Sequence, residues 1–191
     1  MKLSDIEFRA MQSLWRKLGQ TYFELPLFKR MGLDVKDKEV LEIGCGNGLG
    51  GYLLNQLQPK SYVGLDVMEE QIGIARQKYP QYKYIVQDAT DLSQFANASK
   101  DVVIIFGVLH HIPEWRKTID EIARVLKPNG QLFLEEPRGV DLKFFDFFFR
   151  WGHPNTDFGL KALDEHLAKC RLSIVHKRWT PLLTMYHAQK N

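Results

Sequence analysis

The sequence predicts an α/β fold, a doubly wound and mostly parallel sheet with helices on both faces and an antiparallel strand at its C-terminal end. Three observations predict it. From Val40 onward, short apolar runs alternate with amphipathic stretches, the pattern of parallel strands joined by crossover helices. Three of the apolar runs end at an acidic residue, Glu42, Asp66 and Asp88. The last two strand-like runs are separated only by Trp179-Thr180-Pro181, a connection short enough to force antiparallel pairing.

Taken in order, Ser4 suits an N-cap for a helix from Asp5 to about Leu18, whose Phe8, Met11 and Trp15 fall three and four apart on one face. Glu24-Leu25-Pro26 breaks that pattern, and Leu27 to Met31 reads as a second short helix. Strands are expected over Val40–Ile43, Tyr62–Leu65, Tyr84–Val86, Val102–Phe106 and Leu132–Leu134. The run at Val102–Phe106 is continuously apolar, as a strand covered on both faces requires. Helices are expected over Leu49–Leu57, Glu69–Lys78 (stopped by Pro80), Trp115–Leu126 (closed by Lys127-Pro128-Asn129-Gly130) and Leu160–Lys169. The terminal hairpin pairs Leu172–Arg178 with Leu182–Ala188. The reading is one domain over 1–191, with a helical cap (1–37), a ligand-binding core (38–137) and an aromatic segment, helix and hairpin (138–191).

Composition narrows the function classes. With 45% hydrophobic and 26% charged residues the chain is globular. A net charge of +3 without a like-charge block gives no argument for a nucleic-acid partner. Two cysteines, Cys45 and Cys170, are too few for a disulfide framework or a zinc site and fit a reducing, cytoplasmic setting. No apolar run reaches the ~18 residues of a membrane span, and the acidic N-terminus is not a signal peptide.

The chemistry is concentrated after the first strand, in Glu42-Ile43-Gly44-Cys45-Gly46-Asn47-Gly48. Glycine at every second position lets a backbone pass close to a ligand. A dinucleotide fingerprint, G-x-G-x-x-G, would need its third glycine where Leu49 stands. In an open parallel sheet, ligands bind at the carboxyl ends of the strands near the point where strand order reverses, which is where this loop falls. Asp66 follows Gly48 at the distance of a ribose-binding acid, and it also suits the N-cap of the next helix.

The Glu-x-Gly-x-Gly-x-Gly run, with Asp66 and Asp88 in register, resembles motif I and its companions in the class I S-adenosylmethionine-dependent methyltransferases. The resemblance covers about Lys38 to Pro137, with the terminal hairpin loosely included. It implies a Rossmann-like sheet of seven strands, the last antiparallel, and S-adenosylmethionine as cofactor, converted to S-adenosylhomocysteine. It implies that the Gly44-Cys45-Gly46 backbone packs on the aminoacyl part, that Glu42 orients the ammonium end, and that Asp66 holds the ribose with Val67 and Met68 flanking the adenine. Asp88 and Ala89 would meet the adenine edge. Phe106-Gly107-Val108-Leu109-His110-His111-Ile112 resembles motif IV, with Phe106 and Gly107 lining the pocket near the sulfonium. By the same analogy His110 faces the acceptor, as base or anchor, and His111 holds the loop. Methyl transfer needs chiefly an in-line approach, so a purely structural role for both histidines stays open. No metal is expected.

The runs that mark adenine-amino, cytosine and protein-arginine methyltransferases are absent, leaving a small, apolar or aromatic acceptor as the expectation. Its contacts fall on Trp15, Tyr22, His111, Phe145 and Phe148, the last two in the aromatic run Phe144 to Trp151. That run reads equally as a lid, a packed helix or a dimer contact, and the chain as monomer or homodimer. Two rival functions are an NAD(P)-dependent oxidoreductase and a non-catalytic S-adenosylmethionine-binding protein. Tyr186 and Lys190 have the Tyr-x-x-x-Lys spacing of some dehydrogenases, but in an expected strand rather than a helix.

Overall fold

The structure is a computed structural model that describes residues 14–137 and 158–191. The expected helix start with Phe8 and Met11, the Trp15 side chain, and the aromatic run with Phe145 and Phe148 lie outside the described residues.

The N-terminal helix α1 (Leu14–Gly19) does not stop at Glu24-Leu25-Pro26. It passes through a π-helical turn (Gln20–Glu24) into α2 (Leu25–Arg30), with Pro26 in the first turn of α2. The core then alternates: β1 (Glu39–Ile43), α3 (Leu49–Asn55), β2 (Ser61–Asp66), α4 (Glu69–Lys78), β3 (Lys83–Val86), β4 (Lys100–Phe106), α5 (Trp115–Val125) and β5 (Leu126–Pro137). The chain closes with α6 (Leu160–Lys169), β6 (Leu172–Trp179) and β7 (Leu183–Lys190).

Seven strands form one sheet in the order β3-β2-β1-β4-β5-β7-β6. The β1 to β5 pairings are parallel, and β7 runs antiparallel to both β5 and β6. The hairpin is therefore inserted, with β7 inside the sheet and β6 at its edge. The stretch Lys127-Pro128-Asn129-Gly130, expected to separate helix from strand, belongs to β5. Leu126 already pairs with Lys100, and the register shifts before Val102 meets Gln131, an irregularity that the left-handed Asn129 (φ 62°) accommodates.

Each face of the sheet carries its own core. One joins Leu41, Val103, Ile105, Leu132 and Leu134 to Trp115, Ile119 and Ile122 of α5 and Leu163 and Leu167 of α6. The other joins Val40, Ile104, Phe106 and Phe133 to Leu25 and Phe28 of α2, Leu54 of α3 and Ile72 of α4. Strand order reverses between β1 and β4, so the carboxyl ends of those strands open the ligand crevice.

Candidate active site

Backbone conformation explains the glycine pattern of the loop after β1. Gly44, Gly46 and Gly48 have φ of 69°, 49° and 83°, a region that side chains disfavour. A Cβ at Gly44 would strike Val108 at 2.5 Å, so this glycine also lets the loop pack on the turn after β4. The Cys45 N–H donates to Leu65 O (2.9 Å) and the Gly48 N–H to Cys45 O (3.0 Å). The Cys45 side chain is buried, and burial pushes its thiol well above its usual range.

Asp66 ties the loop to the next helix. Its carboxylate accepts the Gly46 N–H (3.0 Å) on one oxygen and the Met68 N–H (2.9 Å) on the other. Burial raises its pKa, and the backbone donors oppose that rise. A carboxylate has about four acceptor positions, so one bond to each oxygen leaves room for hydroxyl donors. Asp88, at the next loop, is exposed and accepts the Thr90 N–H and hydroxyl (both 2.8 Å). Ala89 is buried, while Val67 and Val86 are 41% and 44% exposed on the same edge of the sheet. Exposed apolar surface between two carboxylates suits a planar base joined to a hydroxylated sugar.

Glu42 is buried beneath α3, and the Tyr62 hydroxyl donates to it (2.5 Å). Gly50 makes this possible, since a Cβ there would overlap the carboxyl. Burial pushes Glu42 up to about 8, against the opposing effects of the Tyr62 bond and the Arg16 charge.

Arg16, from α1, enters the same edge. It pairs with Glu24, approaches Glu135 (3.6 Å) and donates to Phe106 O (3.4 Å). Burial, and next the neighbouring Glu24 charge, hold Glu135 well above the usual carboxylate range. The Phe106 ring does not line this edge, because it turns into the core against Phe28 (centroids 5.6 Å). Gly107, with φ 64°, occupies the rim instead.

The two acids that end β5 point to opposite faces, as strand alternation requires. Glu136 takes the turn after β4, accepting the Leu109 N–H (2.9 Å) and the His110 N–H (3.3 Å) and bonding His110 Nδ1 (2.6 Å). The turn holds the two histidines differently. His110 is buried against Glu136, and His111, its ring 4.0 Å away, is the more exposed.

Glu42, Gly44 to Gly48, Asp66, Asp88 and Gly107 are brought to one edge, as the motif spacing anticipates. Tyr22 is 75% exposed on the helical segment. The sequence reading does not single out Arg16, Glu24, Tyr62 or Glu135. Adjacent acids at a strand terminus were the one available signal, since two neighbours in a strand cannot share a face.

The fold and this edge define the class. A seven-stranded sheet with an inserted antiparallel β7 and a glycine loop tied to an acid at the end of β2 is the architecture of S-adenosylmethionine-dependent methyltransferases of class I. Residues 41–134 match the family model described as a methyltransferase domain, and the domain belongs to that class. Among curated proteins, the chain is 37% identical over 101 residues to the phthiotriol/phenolphthiotriol dimycocerosates methyltransferase of Mycobacterium tuberculosis, covering 51% of this chain and 37% of that protein. It is 34% identical over 108 residues to the fatty-acid O-methyltransferase of Mycolicibacterium smegmatis, covering 55% and 39%. The chain thus spans well under half the length of these relatives. A SAM-dependent methyltransferase from Methanosarcina mazei has a TM-score of 0.66 at 26% identity, covering 86% and 97% of the two chains. One from Mesorhizobium loti has a TM-score of 0.76 at 15% identity, covering 87% and 97%, a likeness of fold alone.

The oxidoreductase reading is not favoured. An antiparallel β7 between β5 and β6 departs from the all-parallel dinucleotide order. Tyr186 and Lys190 lie along β7, where residues four apart are about 13 Å from one another, too far to act as a pair.

Proposed function

We propose that this chain transfers the methyl group of S-adenosylmethionine to a small apolar, lipid-like acceptor. The observation that carries the cofactor half is Asp66, whose carboxylate is fixed by Gly46 and Met68 while staying open at the crevice. Two observations support the acceptor half. Relatives named for a fatty acid and for phthiotriol dimycocerosates match the same core. Tyr22 and Phe23 also present apolar surface on the helical segment above the strand ends.

When bound, the cofactor supplies an electrophilic methyl on a cationic sulfur. Glu42 and the Gly44-Cys45-Gly46 backbone hold the aminoacyl end, Asp66 takes the ribose hydroxyls, and Asp88 and Ala89 take the adenine edge beside Val67 and Met68. Gly107 leaves room for the acceptor atom to approach in line, the geometry on which methyl transfer chiefly depends. His110 receives the acceptor's proton. Glu136 binds its Nδ1 and so directs Nε2 toward that task, as a carboxylate orients a histidine base. Trp15, Tyr22, His111, Phe145 and Phe148 contact the acceptor. The free thiols of Cys45 and Cys170 support a reducing, cytoplasmic setting.

Transfer of label from methyl-labelled cofactor to long-chain fatty acids, alcohols and phenols, resolved by mass spectrometry, tests this reading. Label in one of these classes is the expected result. Binding of S-adenosylhomocysteine without label transfer to any metabolite would establish a non-catalytic binder instead, and absence of binding would sink the cofactor assignment.

A further inference from the structure

Away from the crevice, α5 and α6 meet through a side-chain cluster that methyl transfer does not use. His166 and Cys170 stand four residues apart, at the end of α6 and just beyond it, and Asp120 faces them from α5. His166 Nε2 lies 2.9 Å from Asp120 Oδ1, and the Cys170 thiol donates to the same oxygen at 3.1 Å. One nitrogen, one sulfur and one carboxylate oxygen all fall within 4.8 Å of one another.

We propose that Asp120, His166 and Cys170 form a binding site for a divalent transition-metal ion of the zinc class, which clamps α6 to α5. The donor set is borderline-soft, mixing imidazole, thiolate and carboxylate, and so selects zinc or cobalt over magnesium or calcium. Metal–ligand bonds of about 2.0–2.3 Å at tetrahedral angles place ligand atoms roughly 3.3–3.6 Å apart. The two contacts to Asp120 Oδ1 therefore need to open by only a few tenths of an ångström, the His166 and Cys170 atoms already lie within 4.8 Å, and the metal replaces the contact of His166 Nε2 with the Arg116 carbonyl (3.1 Å). Three protein ligands leave the fourth position to water, which the exposed Asp120 side chain admits. The histidine is already oriented, its ring edge-on to the buried Trp115 (5.6 Å). Trp115 in turn packs on Phe158 (5.5 Å), a neighbour of the His110 ring (6.4 Å). A clamp here would steady the α6 side of the wall behind the motif IV turn.

A redox or nucleophilic role for Cys170 fits less well. Burial and the Asp120 carboxylate push its thiol up to about 12, and thiolate is the reactive form. A metal ion replaces that proton and neutralises the charge that raises it.

The test is titration of the chelator-stripped chain with Co2+ and then Zn2+, followed by absorbance and thermal unfolding. One equivalent of Co2+ should bind with a sulfur-to-metal charge-transfer band, Zn2+ should displace it, and the midpoint of unfolding should rise. Asp120→Asn, His166→Gln and Cys170→Ser should each weaken binding by at least about tenfold, with the band lost in Cys170→Ser. S-adenosylhomocysteine binding by each variant reports that it has folded, and the exposed Asp120→Asn site keeps the test decisive if a helix variant does not. No saturable binding, or binding that these substitutions leave unchanged, overturns the proposal.

Discussion

In the proposed function Asp66 combines two tasks in one carboxylate, since the oxygens proposed to take the ribose hydroxyls also fasten the glycine loop to the start of α4. Asp66→Ala should weaken S-adenosylhomocysteine binding by roughly 10- to 100-fold, the worth of hydrogen bonds to a charged group, measured by calorimetry. Asp66→Asn, which keeps the shape and one acceptor, should lose less. Glu42 makes a prediction of the opposite kind, because burial raises its carboxyl from 4.5 to about 8. Between those values the folded chain keeps a proton that the unfolded chain has released. Its contribution to stability is therefore complete below about pH 4.5 and lost as pH rises through about 8. Urea unfolding from pH 5 to 8.5 should show wild-type stability falling more steeply than that of Glu42→Gln, which does not titrate. Equal slopes would mean that Glu42 is ionised throughout.

At the scale of elements, α3 approaches β1 and β2 closely because Gly50 and Gly51 in its first turn carry no side chain. A Cβ at Gly50 would overlap the Glu42 carboxyl, whereas a Cβ at Gly73 in α4 meets nothing within 4 Å. Gly50→Ala should destabilise the protein by about 1–3 kcal/mol through overpacking. Gly73→Ala should stabilise it by about 0.5–1 kcal/mol, because alanine suits a helix interior better. Denaturant midpoints decide both, and similar shifts in the two would contradict the packing argument. The N-terminal helical segment is joined to the strand ends through Arg16 with Glu24 and Glu135. Arg16→Ala leaves two largely buried carboxyls without that cation and should cost about 2–4 kcal/mol, the toll of breaking a buried pair. Faster hydrogen exchange over Gln20–Glu24 and α2 is the accompanying signature.

Across the whole molecule, the inserted hairpin makes the C-terminus part of the core. Met185 belongs to one hydrophobic cluster and Tyr186 and Ala188 to the other. A chain ending at Lys169 would strip β5 of its antiparallel neighbour and open both cores. It should show no cooperative thermal transition by far-ultraviolet circular dichroism. A sharp transition would mean that the first five strands fold without the hairpin.

What the sequence by itself determined here is what short-range chemistry encodes. Apolar alternation marked every strand and helix of the core, because each element buries its own face. Glycine at 44, 46 and 48 announced a loop whose backbone can pass close to a ligand, and Asp66 and Asp88 announced the strand ends beside it. Tertiary structure decided whatever depends on partners distant in the chain. The helix at the N-terminus continues through Glu24-Leu25-Pro26 because Leu25 and Phe28 are held by a core that no local pattern displays. The Lys127-Pro128-Asn129-Gly130 stretch was drawn into β5 as a register irregularity because Leu126 before it and Gln131 after it both pair with β4. His110 is the histidine fixed by a carboxylate because Glu136, at the end of another strand, reaches its ring. Arg16 with Glu135, and Asp120 with His166 and Cys170, meet only once the helices pack. Spacing reports the periodicity of one element, while a charge pair or ligand cluster between elements exists only after the sheet has set their order.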